Sequence, residues 1–211
     1  MNKQVKTKVG APVRGISVNA KQAILDAALK AFSRDGFDGA SLPKIADMAG
    51  IAHPLIHYHF GSKDNLWRET VDFALGDLGR EAATIRTASR GLSPLDRLRV
   101  LIRAFTHFAA RCPDHFGLIL AEARSDSDRF AWMQENYTGG FLENLQSILE
   151  EAEQEGQIRS IPLTNLSFVL MGSMLLYFTV NPALPKDIEI DELADQHAEL
   201  LLDIILNGIA R

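Results

Sequence analysis

Three histidines crowd into one short stretch of the chain, at His53, His57 and His59, with Ser41 upstream and Lys63 just downstream. His53 and His57 stand four residues apart, a spacing that puts two imidazoles on one helical face and is used for metal ligation. No Glu follows His53 as in the H-E-x-x-H pattern, and so short a helix offers no third ligand on that face, so no metal is expected. Recognition of a nucleic acid is the other chemistry that suits this stretch. Ala46 lies four residues before Gly50 and Ile56 six after it, which is the spacing of a helix-turn-helix. A small Ala46 lets the second helix cross close to the first, Gly50 supplies a turn that a Cβ would oppose, and Ile56 fills the angle between them. Such a module lays its second helix in the major groove of a duplex.

Two short crossed helices cannot bury their inner faces alone, so a further helix must complete their core. The stripe Ile24, Leu25, Ala28 and Phe32 predicts one over Ala20 to Asp35, with Asn19 as N-cap and Gly36 as the stop. Ser41 caps the next helix, Pro43 sits harmlessly in its first turn, and Gly50 ends it. A short helix from His53 to Phe60 follows, then a longer one that starts at Lys63 behind a capping Ser62. Helices are predicted beyond it over 94–110, 116–124, 128–155, 162–180 and 191–209, with Gly91, Pro113, Gly156, Pro182 and Pro185 as punctuation. No segment alternates as a strand would. The expected fold class is therefore all-α, an N-terminal three-helix bundle with a helix-turn-helix plus a C-terminal helical domain. The expected divisions are a flexible basic arm at 1–18, the helix-turn-helix domain at 19–63 and the helical domain at 64–211.

The net charge of −5 conceals a division. Residues 1–63 hold nine Lys/Arg against four Asp/Glu, and the remainder thirteen against twenty-three. A basic head on an acidic body is the electrostatic footprint of a phosphate-binding module. The single cysteine, Cys112, excludes an intramolecular disulfide and a multi-cysteine zinc site, and the first eighteen residues lack the apolar run of a secretory leader. A reducing, cytoplasmic setting is expected. Residues 163–185 carry no charge, but the densely apolar part, Leu166 to Val180, is shorter than the roughly 20 residues that a bilayer requires, so a buried helix is expected rather than a membrane span. No nucleophile–base pair, glycine-rich phosphate loop or telling pair of carboxylates points to an enzyme, and no cofactor is expected.

The run Ile24-Leu-Asp-Ala-Ala, with Phe32, Gly36, Ile45-Ala, Ala49-Gly-Ile and Ile56-His-Tyr-His-Phe-Gly-Ser-Lys63, resembles the N-terminal domain of the TetR family of bacterial transcriptional regulators. The likeness covers about residues 20–75. It implies a homodimer that binds a palindromic double-stranded DNA operator and is released by a small molecule held in the C-terminal domain. By that resemblance Ser41 contacts phosphate, and Lys63 grips the DNA backbone from the start of the fourth helix, where the helix dipole reinforces its charge. His53, Pro54, Leu55, His57, Tyr58 and His59 form the recognition helix. His53 and Leu55 are placed for base edges, Leu55 against a thymine methyl, while His57, Tyr58 and His59 hold phosphates. Two departures stand out: Ala52 replaces a capping Ser or Thr, which weakens the cap by ~1 kcal/mol, and His57 replaces a common Tyr.

In the acidic body, Phe105, Phe108, Phe116, Trp132, Met171, Met174 and Tyr177 supply enough aromatic and thioether surface for the pocket of an unknown small-molecule effector, with plain core packing as the alternative. Arg103, Arg111, Arg124 and Asn136 are candidate polar anchors, with surface ion pairing as their other reading. The last helix carries the stripe Leu193, His197, Leu200, Leu201 and Ile204, and Gly172 on the uncharged helix would allow close approach. A four-helix dimer interface is the economical way to cover so much apolar surface. The sequence thus predicts a DNA-binding transcriptional regulator, a ligand-released repressor, in which the helix from Lys63 tilts through Leu66, Trp67, Val71 and Leu75. A regulator without a small effector and a small all-α enzyme are the alternatives.

Overall fold

The computed structural model describes residues 14–125, 127–180, 184–185 and 187–209, with side chains placed from Ala20 to Gly208. Among these residues there are ten α-helices, one π-helical turn and no strand, so the chain is all-α as expected. The head comprises α1 (Arg14–Gly39), α2 (Leu42–Ala49) and α3 (Pro54–Phe60), and α4 (Lys63–Ala88) runs from it into the body. The body continues with α5 (Pro94–Arg111), α6 (Pro113–Ala123), α7 (Asp128–Met133), a π-helical turn (Gln134–Thr138), α8 (Gly139–Gln154), α9 (Leu163–Val180) and α10 (Ile190–Ile209).

Three boundaries differ from the sequence reading. The first helix starts at Arg14, so Asn19 lies inside it rather than capping it, and residues 14–18 of the expected arm are helical. Neither proline nor glycine interrupts 16–35, so nothing local stops the helix from extending. The rest of that arm lies outside the described residues. Gly36 does break the helix, at φ 70° and ψ 178°, and a single turn follows it. Pro113 opens α6 instead of separating helices, since a proline at the first position loses no hydrogen bond. The long helix expected over 128–155 is divided by the π-helical turn. There the Gly139 N–H donates to Gln134 O, and a Cβ on residue 139 would come within 3.0 Å of that oxygen.

The expected head core forms. Ile24, Ala28 and Phe32 of α1 meet Ile45 and Ala46 of α2 and Ile56 of α3, all essentially removed from water. Leu66, Trp67, Val71 and Leu75 give α4 a buried inner face, as expected. The head rests on the body chiefly where α1 crosses α6, and Gly117 permits that approach, because a Cβ there would collide with the Ser33 side chain.

The uncharged helix α9 is long and apolar enough to cross a membrane, with a mean hydropathy of 1.6, yet little of it is buried inside the protomer. Leu170, Met174 and Phe178 face the core, while Phe168, Val169, Leu176 and Val180 face outward. Leu200 and Ile204 of α10 are likewise exposed. The chain thus presents a broad apolar surface formed by its two final helices, a kind of surface that monomeric proteins seldom leave uncovered.

Candidate nucleic-acid interface

The turn between α2 and α3 is built by Gly50, which takes the left-handed conformation at φ 66° and ψ 32°. Its N–H donates to Asp47 O at 3.1 Å and the Ile51 N–H to Ala46 O at 3.1 Å, the two bonds of a Schellman closure. This fixes the exit of α2, so that α3 crosses it with Ile56 buried beneath. Ser41 stands at the N-cap of α2 in extended conformation, but its hydroxyl makes no capping bond. The side chain is exposed and its oxygen is free for another partner.

At the start of α3, Pro54 occupies the first helical position and His53 the cap, with no side-chain capping bond from either His53 or Ala52. The Leu55 N–H donates to Ala52 O at 2.9 Å, so the helical turn already begins at Ala52. His53 is half-buried with its Nε2 unpartnered, and it meets the His57 ring edge to face at 5.2 Å. Leu55 is exposed and Tyr58 stands 79% exposed, the most solvent-facing aromatic of the head. His59 lies beside Tyr58, ring centroids 5.1 Å apart. His57 serves the fold at the same time: its Nδ1 meets Gly61 O at 3.1 Å while the Gly61 N–H donates to His57 O at 3.0 Å. That pair of bonds leaves Nε2 as the nitrogen directed elsewhere.

Lys63 begins α4, behind Ser62, whose hydroxyl accepts from the Asn65 N–H at 3.1 Å. The Lys63 ammonium is not free in solvent. It lies 4.7 Å from the centre of the Phe37 ring and donates to Asp38 O at 3.4 Å. Other cations of the head are partly neutralised. Asp35 pairs with Arg34 at 2.8 Å and with Lys44 at 3.2 Å, and the hydrogen bond from Arg34 holds its carboxyl well below the usual carboxylate range. Ser41, the outward residues of α3 and Lys63 thus belong to the ends and open face of one small helical unit. Hydroxyl and ammonium donors suit phosphates, and apolar or imidazole groups suit base edges, so this set of groups is compatible with duplex recognition.

The expected effector residues do not come together as one group. Phe105, Phe108 and Phe116 form a cluster with centroids 5.8–6.5 Å apart, and Phe141 stacks on Phe105 at 3.8 Å. Phe105, Phe116 and Met174 are buried in the core, and Met171 is half-buried. Trp132 packs instead on Trp67 at 5.7 Å and beneath Arg68, and Tyr177 stacks flat on His197 at 4.3 Å. Phe108 borders a cleft of about 410 Å³ with Arg103, His107 and Arg111. A second cavity, of about 170 Å³, lies between α4, α5 and α8, lined by Leu78, Ala82, Leu101, Tyr137 and Phe141. Tyr137, in the π-helical turn, hydrogen-bonds Asp72 of α4, and burial together with that partner pushes its phenol up to about 12.

Of the polar anchors, Arg103 pairs with Glu199 and Arg111 with Asp191, and Asn136 donates to Trp132 O. Arg124 borders an open groove between α1, α6 and α9. Of the dimer residues, Leu193 and Leu201 turn into the protomer's own core, Leu200 and Ile204 face outward, and Gly172 is half-exposed. His197 is satisfied within the protomer, its Nε2 2.7 Å from Ser173 O. No residue pattern marks Phe37, Arg129 and Glu122, which meet in that order at the junction of head and body, since no single helical period joins them.

The family profile described as bacterial regulatory proteins, tetR family, matches residues 24–70, which takes in the head and the first turns of α4. Over 94% of this chain, and 99% of its own, the HTH-type transcriptional repressor NicS of Pseudomonas putida is 26% identical. The ketosteroid transcriptional regulator KstR2 of Mycobacterium tuberculosis has the same fold, with a TM-score of 0.74 at 20% identity over 90% of this chain and 95% of its own. AibR, solved in complex with isovaleryl coenzyme A and operator DNA, superposes with a TM-score of 0.71 at 17% identity over 86% of this chain and 97% of its own. The glycine-closed helix-turn-helix within residues 24–70 is thus that of the tetR family of bacterial regulatory proteins.

Proposed function

We propose that the chain is a ligand-released transcriptional repressor that binds a palindromic operator as a homodimer in the cytoplasm. The observation that carries this reading is the open face of the head, where the recognition helix exposes Leu55 and Tyr58 while the Ser41 hydroxyl is left without an internal partner. Residues 19–63 act as the DNA-binding unit, and residues 64–211 carry the effector and the dimer contact. Leu55 and His53 read base edges; Ser41, Tyr58 and Lys63 hold phosphates.

Dimerisation is supported by the exposed Phe168, Val169, Leu176 and Val180 of α9 beside Leu200 and Ile204 of α10. Two such faces related by a two-fold axis make a four-helix interface and hold two recognition helices at a fixed separation. Since half-sites lie a helical turn or its multiple apart, a small tilt of α4 in each protomer costs binding to one half. Effector control is supported by the cavities that border α4, and by AibR, whose fold is alike and whose complex holds both an acyl coenzyme A and operator DNA.

The test is selection of binding sites from a random duplex pool by the full-length protein. A single palindromic sequence is expected to emerge and to be bound far above mixed-sequence DNA. A pool that stays random after repeated rounds overturns operator recognition.

A further inference from the structure

Beside the crossing of α1 and α6, head and body also meet at an aromatic ring. Phe37, in the single turn beyond Gly36, has two cations against it: the Lys63 ammonium 4.7 Å from its centre and the Arg129 guanidinium 3.9 Å from the same centre. Lys63 opens α4 at the proposed DNA surface, whereas Arg129 belongs to α7 in the body. Arg129 also approaches the Trp67 ring, at 5.8 Å.

The guanidinium is anchored from behind. Its Nε donates to Glu122 Oε2 at 3.1 Å, and the Glu122 side chain is 1% exposed. Ser127 Oγ lies 3.4 Å and Ser125 Oγ 3.2 Å from the same carboxylate oxygen, and Ser125 Oγ is also 2.9 Å from the Glu122 backbone carbonyl. A carboxylate so far removed from water depends on its cation and its hydrogen bonds, so this pair has little freedom to move. A guanidinium can stack on a ring with its flat face while its edge donates in plane, which an ammonium cannot do. The arrangement therefore fixes Phe37, and the Phe37 ring and the adjacent Asp38 carbonyl fix Lys63.

We propose that Arg129 is a positioning residue for DNA binding: seated on Phe37 and held by Glu122, it sets where Lys63 points. A displacement of the α6–α7 corner in the body then reaches the phosphate contact through one ring. This rests on the reading of Lys63 as a phosphate contact.

The experiment measures binding of the full-length protein to a fluorescent mixed-sequence duplex over a salt series, because a phosphate contact acts on any sequence. Lys63→Ala is expected to weaken binding and to lower the salt slope by about one unit per protomer. Arg129→Ala is expected to lose about three- to tenfold in affinity with a lowered slope, the range of a desolvated cation–ring contact. In the Lys63→Ala background, Arg129→Ala should then add nothing, as for two residues acting through one contact. Arg129→Lys, which keeps the charge but not the planar guanidinium, should restore only part of the loss.

Because Arg129→Ala leaves a buried carboxylate unpaired, the paired variant Glu122→Gln/Arg129→Gln is measured beside it, each with its thermal midpoint. The paired variant should fold and show the same DNA defect. Lys63→Ala binding like wild type overturns the Lys63 reading, and this inference with it. Lys63→Ala weakened, with Arg129 variants silent or additive to it, overturns this inference alone.

Discussion

Two serines that look alike in the sequence do different work. Ser41 and Ser62 both precede a helix, but only the Ser62 hydroxyl accepts a bond from its helix, and the Ser41 hydroxyl is unengaged. Ser62→Ala should therefore cost ~1 kcal/mol of stability, while Ser41→Ala should leave the denaturation midpoint unchanged and weaken binding to every duplex sequence alike. Chemical denaturation beside a binding titration separates the two; a stability loss for Ser41→Ala would assign its hydroxyl to the fold. Cys112 shows the reverse of activation. Burial pushes its thiol up, and the nearby Asp77 adds to that, so a thiolate-based sensing role has no support at this position.

At the scale of elements, the packing of α2 on α1 is tied by charge as well as by apolar contact. Asp35, near the end of α1, bridges Arg34 and Lys44, and its carboxyl is held below the usual range first by the hydrogen bond from Arg34. A depressed carboxyl pKa stabilises the fold above the unfolded value, near 3.9, and the gain is lost as pH falls through the folded value. Asp35→Asn should thus be less stable than wild type at pH 7, by no more than ~1 kcal/mol for a surface pair. The two melting curves should converge as the pH falls below about 4. A difference that persists at low pH would trace the effect to packing. The register of α10 on α5 is set by a similar device: Arg103 meets Glu199, His107 meets Asp195 and Arg111 meets Asp191, at 2.7 to 2.8 Å, as the two helices run antiparallel.

For the whole molecule, the question is what covers α9 and α10. A second copy is proposed, and Leu200→Asp combined with Ile204→Asp places two charges where that copy would sit without touching the protomer's own core. Sedimentation should show the wild type as a dimer and the double variant as a folded monomer, with operator affinity reduced to that of one half-site. A variant that stays dimeric would move the interface elsewhere. The same scale fits the charge division along the sequence: with nine Lys/Arg against four Asp/Glu, residues 1–63 are the part that attracts a duplex, and the acidic remainder repels it.

Much of the head was legible in the sequence because its determinants act within a few residues. Gly50 must adopt a left-handed turn, Ile24, Ala28 and Phe32 recur at helical spacing, and Ile45, Ala46 and Ile56 follow at the intervals that close a helix-turn-helix, whatever the rest of the chain does. The reach of the first helix back to Arg14 and the π-helical turn were not legible, since weak local preferences yield to packing. Nor could periodicity tell a pocket residue from a core residue: Phe105 and Phe116 are buried against each other, while Trp132 left that group for Trp67. The stripe of the last helix, likewise, divided between the protomer's own core at Leu193 and Leu201 and the open face at Leu200 and Ile204. Only the tertiary structure decided that Lys63, Phe37, Arg129 and Glu122 meet. The reason is physical: a turn or a helical stripe is fixed by neighbours along the chain, but a contact across 92 positions, as between residues 37 and 129, exists only once the helices between them have packed.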